Sequence, residues 1–273
     1  MTKNKYNSGQ ALLVVLLSLS VVLIIVLYIV SRSITDVTLS IKDEESLRAF
    51  SAAEAGIERA LIAGTNSGSL SDANFSATVS NFAESSDEVV YPIGLKSGHV
   101  ATFWFNRPSE PRFAGNSLKF CWGDENTSSS TAETPALEVT IFYTTVANDL
   151  TTLRLARTTL DPNASRLSSN NFSNATNSVC TIDQQKFQFQ ASMNLPAGFM
   201  EFAKVKMLYN TQDVHYLGLD VSATGSVLPS QGLKVDSSGS YGDANRRIEL
   251  YALHPAPPTV FENAIFSSSG IVK

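Results

Sequence analysis

The sequence predicts an α+β protein: one long N-terminal helix that crosses a membrane, followed by a mostly antiparallel, sandwich-like β head. Three observations predict it. Residues 11–30 read ALLVVLLSLSVVLIIVLYIV, twenty consecutive residues without a charge, a Gly or a Pro. From Ser31 to Ala63 there is again no Pro, and apolar residues keep a three-and-four spacing. Beyond Gly64 the period changes to alternation, in short runs separated by Gly, Pro, Ser and Asn.

Taken first, the apolar run is one bilayer core long, since twenty residues at 1.5 Å each cover roughly 30 Å. Ser18 and Ser20 can return their hydroxyls to carbonyls one turn back, so neither needs a partner inside lipid. A secretory signal has a shorter apolar region, about 7–15 residues, closed by a small-residue cleavage site. Here the run is longer and SRSITD follows it. Lys3 and Lys5 precede the span with no acidic neighbour, whereas Asp36, Asp43, Glu44 and Glu45 crowd its far side with Arg32 and Lys42. That bias predicts a cytoplasmic N-terminus and an extracytoplasmic head.

The helix is expected to continue past the lipid. Ile34, Val37 and Ile41, then Leu47, Phe50, Ala53, Ile57 and Leu61, form one apolar stripe. Together residues 11–63 predict a rod of roughly 80 Å, half in the membrane and half amphipathic. A plain anchor does not need that length.

Immediately before the span stands KNKYNSG and then Gln10, and about five turns past it stands RAFSAAEAGIERAL, from Arg48 to Leu61. In this order, leader, uninterrupted span and motif resemble a type IV prepilin of the PilX-type minor pilin group. The resemblance implies that residues 1–9 are a basic leader removed by prepilin peptidase on the cytoplasmic side, with Gly9 its last residue. It implies that Gln10 is the first mature residue, N-methylated, and that the helix of residues 10–63 packs into a filament. Ala52, Ala53, Glu54, Ala55 and Gly56 match the family's AAEAG stretch, whose small residues let a helix lie tightly against a sheet or another helix. The partners implied are other pilin subunits, the inner-membrane assembly machinery and the peptidase.

Two positions depart from the family pattern. Most major pilins carry Glu as the fifth mature residue, where it neutralises a neighbour's amino terminus; that place here is Val14. Its absence fits a minor or tip-located subunit better than the main repeating one. Gln10 stands where Phe or Met is commoner. Weaker likeness returns in residues 239–267, which resemble the closing strand and tail of exported pilin-like proteins. The alternatives are a pseudopilin of a type II secretion or DNA-uptake apparatus, and an unprocessed single-pass adhesin.

The exported head, residues 64–273, opens at the Gly/Ser/Asn-rich break GTNSGSLS. Strands are expected at residues 100–106, 118–122, 137–146, 152–158, 186–191, 205–209, 216–221, 233–236 and 247–253. The polar stretch 162–178 reads as a long surface loop and a soft boundary between two β units, with one domain carrying a long insertion equally open.

Composition and motifs exclude more than they assign. Twenty Lys+Arg against 25 Asp+Glu, a formal net charge of −5, leave no positive field for nucleic acid. No GxSxG, HExxH or phosphate-cradling Gly loop occurs, so no enzyme activity, cofactor or metal is expected. His99, His215 and His254 have no partner ligand at metal spacing, and Asp124, Glu125 and Asn126 lack the calcium-loop pattern. Trp104, Phe105, Trp122, Phe142 and Tyr143 read as sheet core before they read as a carbohydrate patch. Asn163-Ala164-Ser165 and Asn174-Ala175-Thr176 are glycosylation triplets that follow from composition. Cys121 and Cys180, the only cysteines, would lie in an oxidising compartment. They either form a disulfide, worth about 3–4 kcal/mol, or stand as two thiols.

Overall fold

A computed structural model describes residues 8–258 of the chain, with side chains from Leu12 onward. The leader ahead of Ser8, the side chains of residues 8–11, Gln10 among them, and the tail beyond Pro258 lie outside the described residues. The fold is α+β: one long apolar-to-amphipathic helix, then a mostly antiparallel β region.

Helix α1 runs over Ser8–Ala63, 56 residues, or about 84 Å at 1.5 Å per residue. It has no internal Pro, and its hydroxyl residues turn inward: Ser18 Oγ donates to Val15 O (2.9 Å), Ser20 Oγ to Leu17 O (2.8 Å) and Thr38 Oγ1 to Ile34 O (2.8 Å). It stops at Gly64, whose φ of +79° favours glycine and whose amide closes on Ala60 O at 2.8 Å.

Fourteen strands follow among the described residues. They are β1 (Asn66–Leu70), β2 (Ala73–Phe82), β3 (Glu88–Val90), β4 (Val100–Trp104), β5 (Ser117–Asp124), β6 (Ala136–Thr144) and β7 (Leu153–Asp161). After the one-turn helix α2 (Leu167–Asn170) come β8 (Ser173–Asn174), β9 (Thr176–Ile182), β10 (Gln185–Asn194) and β11 (Phe199–Leu208). β12 (Leu217–Asp220), β13 (Gly232–Tyr241) and β14 (Ala244–Leu253) close the described chain. Every expected strand falls on one of these. β1, β2, β3, β8 and β9 are additional, and β2 alternates legibly, with Ala73, Phe75 and Ala77 buried and the residues between them exposed.

The strands divide between two compact units. One holds α1 through Val79 together with Val235–Leu250; the other holds Ser80–Lys234 and the chain from Tyr251. The division therefore falls inside β2, β13 and β14. It differs from the soft boundary expected at 162–178, and residues 64–79 and 235–250 group with the helix rather than with the rest of the head.

In the first unit, sheet order is β1-β2-β13-β14. Small side chains of α1 meet this sheet: Ala52 packs with Ala73, Phe75 and Tyr241, and Ala60 with Ala77 and Val235. The docked face differs from the expected stripe. Ala49, Ala52, Ala53, Gly56 and Ala60 are buried, whereas Leu47, Phe50 and Leu61 are exposed. Alanine and glycine let backbone approach backbone, which the bulkier residues do not.

The second unit is a β-sandwich. One sheet is ordered β3-β12-β5-β10-β9 and the other β4-β11-β6-β7-β8, with antiparallel pairing throughout except β7 beside β8. Phe103, Val139, Ile141, Ala203 and Val205 of one sheet share a core with Leu118, Phe120, Trp122, Phe189 and Leu219 of the other. Trp122 donates its indole N–H to Pro135 O at 2.9 Å, so the largest core side chain is polar-satisfied.

The polar stretch 162–178, expected as a loop, carries α2, β8 and the start of β9. Its order centres on Asp161, which is fully buried. Arg166 grips it through Nε (3.1 Å) and Nη2 (2.8 Å), and Asn170 Nδ2 adds a third donor at 2.8 Å. A buried carboxylate is tolerated when it is paired and fully hydrogen-bonded in this way.

Candidate assembly and processing site

The residues expected to carry processing open the helix. Gly9 and Gln10 lie in the first turn of α1. Downstream of them Leu12–Val30 offers its apolar side chains outward on every face; Val14 is 64% exposed, like its neighbours. A soluble fold does not leave such a run uncovered. The helix is long and apolar enough to cross a membrane.

The AAEAG stretch sits where α1 meets its sheet. Ala52, Ala53 and Gly56 are buried, Ala55 is half-buried, and Glu54 points to solvent. Ser237 of β13 donates its hydroxyl to Ala53 O at 2.7 Å. A Cβ on Gly56 would collide with Ser237 Oγ, and one on Gly239 would strike the main chain at Ala49 O and lie 2.5 Å from Ala53 N. One glycine on the helix and one on the strand thus each admit a close approach, Gly56 to Ser237 and Phe75 and Gly239 to the main chain at Ala49 and Ala53. Gly239 falls in the segment 239–267 that resembles the closing strand of pilin-like proteins, whereas Ser237 lies just outside it and has no signal of its own in the sequence.

Polar contacts fix the rim. Arg48 reaches Glu44 Oε1 at 2.7 Å and Tyr241 Oη at 3.2 Å, its guanidinium 4.8 Å from the Tyr241 ring centroid. The hydrogen bond to Glu44, then the Tyr241 and Glu44 charges, raise the Arg48 pKa. Arg246 Nε and Nη2 donate to Ser46 Oγ at 2.9 and 2.6 Å. These contacts clamp the turn of α1 that carries the expected acidic cluster.

Elsewhere the expected residues scatter. Cys121 and Cys180 are joined in a disulfide with Cα atoms 6.1 Å apart, tying β5 to β9 beside Ile182 and Phe187. Phe105 and Trp122 are core; Trp104 and Phe142 flank Phe202 in one aromatic row, with centroids 5.2 and 4.4 Å from it. His99 is exposed, His215 is buried against Asp124, and burial and then the Arg107 charge depress the His254 pKa. Among the described residues no three His, Cys, Asp or Glu side chains form a metal cage. Asn163 is buried and donates to Thr131 O at 3.0 Å, so that triplet serves the fold.

Comparison with known proteins adds no neighbour to this arrangement: no family profile, no curated protein and no solved structure matches the chain.

Proposed function

We propose that this chain is a minor pilin-like structural subunit of a type IV pilus or a related filament. Prepilin peptidase cuts after Gly9, Gln10 becomes the methylated N-terminus, and the helix passes from the inner membrane into the filament while the β units face outward. One observation carries this reading. A single continuous helix docks its last turns, from Ala49 to Ala60, on the chain's own sheet and leaves Leu12–Val30 uncovered on every side. That apolar stretch needs lipid before assembly and neighbouring helices after it.

Val14 supports a place used once or twice, at a tip or a point of initiation. A repeating subunit without an acidic residue there buries each neighbour's charged amino terminus unpaired, a cost that recurs along the fibre. Quantitative proteomics of sheared filaments tests this. The chain is expected in filaments at a small fraction of the major subunit. Its absence from filaments, with the chain retained whole in the membrane, favours the unprocessed adhesin and overturns the proposal.

A further inference from the structure

The connection between β4 and β5 and the loop after β6 enclose a cleft of about 580 Å³ in the second unit, within the range of small-ligand sites. Two guanidiniums line it, and the fold does not use them up. Arg112 Nη2 lies 3.0 Å from Asn148 Oδ1 and 3.4 Å from Glu201 Oε1, while its Nη1 is buried and bonds to nothing among the described residues. Arg107 makes no ion pair among the described residues; its guanidinium lies 5.5 Å from the Trp104 ring centroid and its Nε is likewise buried without a partner.

Of the two nearby carboxylates, Glu201 pairs with Arg112 on one side only and Glu110 lines the cleft, and both are also held by neighbouring donors. Glu201 accepts from Asn106 Nδ2 at 2.7 Å and Thr144 Oγ1 at 3.2 Å, and Glu110 accepts from the Ser230 amide at 2.5 Å. Unspent guanidinium donors match a carboxylate's paired oxygens better than any other side chain does. Beside them Phe199 is 40% exposed, with Arg112 5.4 Å from its ring centroid, giving an apolar wall against which a sugar's C–H face can rest. Ser109 and Asn148 add a hydroxyl and an amide suited to sugar hydroxyls.

We infer that this cleft binds a carboxylate-bearing saccharide, a sialic or hexuronic acid residue, with Arg107 and Arg112 holding the carboxylate and Phe199 the ring. The inference does not rest on the filament reading, and its failure leaves that reading intact. The test is calorimetric titration of the full-length chain in detergent with 3′-sialyllactose, a hyaluronan tetrasaccharide and neutral lactose. At least one acidic sugar is expected to bind about tenfold or more tighter than lactose, and the stronger of the two names the sugar class. Arg107→Gln is expected to weaken that binding about tenfold or more with an unchanged melting temperature, because Arg107 makes no ion pair among the described residues. Lys186→Gln, which removes the same charge from the opposite sheet, is expected to leave it unchanged. Ala147→Trp, at an exposed lining position, is expected to block it without touching the core. Failure of both acidic sugars to bind, equal binding of lactose, or binding that survives Arg107→Gln and Ala147→Trp overturns the inference.

Discussion

Gly56 of α1 and Gly239 of β13 both lie where helix meets strand, and their neighbours predict different tolerances. An alanine at 56 collides with Ser237 Oγ and crowds the buried Phe75 ring at 3.0 Å; both are side chains that can shift, the serine at the loss of its bond to Ala53 O, about 1 kcal/mol or more. Helix propensity returns up to about 1 kcal/mol, so Gly56→Ala is expected to cost less than the same change at 239. An alanine at 239 meets helix backbone, which has nowhere to go, and Gly239→Ala is expected to cost about 2 kcal/mol or more. Denaturant unfolding of the full-length chain in detergent measures both, and equal costs would refute the close-approach account. Glu133 makes a second prediction. Its carboxylate accepts from the Gln212 amide at 3.0 Å, the Thr211 hydroxyl at 2.8 Å and the Thr211 amide at 2.5 Å. The Gln212 bond first and the Thr211 hydroxyl next lower its pKa, against a smaller opposing effect of burial. A depressed folded pKa means the stabilisation is present above the ordinary glutamate value and is lost as pH falls through the folded one. The stability gap between wild type and Glu133→Gln is therefore expected at neutral pH and to narrow only as acid takes the solution below the ordinary glutamate range. A gap that persists in acid would mean the carboxylate charge is not what holds Thr211 and Gln212.

The two halves of α1 were unequally legible. Its extent followed from an uninterrupted sequence and a terminal glycine. Its docked face did not, because hydropathy ranks Leu47, Phe50 and Leu61 above the alanines that the sheet admits. The alternation KFQFQA in β10 and the β-branched and aromatic runs of β4 and β6 announced strands directly. β9, with the polar sequence TNSVCTI and only Cys180 and Ile182 buried, gave no such signal. The Arg107–Arg112 cleft was invisible for a different reason. Its two cations mean little until the fold shows which carboxylates are already taken. The outward face of α1 yields the prediction at this scale. Phe50 is 44% exposed in the single chain, so Phe50→Glu is expected to leave folding and membrane insertion intact while removing the chain from sheared filaments, read by immunoblot. Unchanged incorporation would show that this face meets no neighbour.

At the scale of the whole chain, a uniform run of strands from Asn66 to Leu253 conceals two units, because the second is inserted within the strands of the first's sheet. Sequence reads elements in order and gives no weight to a strand that returns after some 150 residues, as β13 does beside β2. On the proposed reading, the helix and its sheet serve assembly and the sandwich is free for another role. The central claim concerns the first of these: that α1 is delivered to a filament by cleavage at its own first turn. Mass spectrometry of the N-terminal peptide from protein in sheared filaments tests it most directly. The account predicts a peptide beginning at Gln10 and carrying one added methyl group. An intact leader, Met1 to Gly9, on the assembled protein would contradict it.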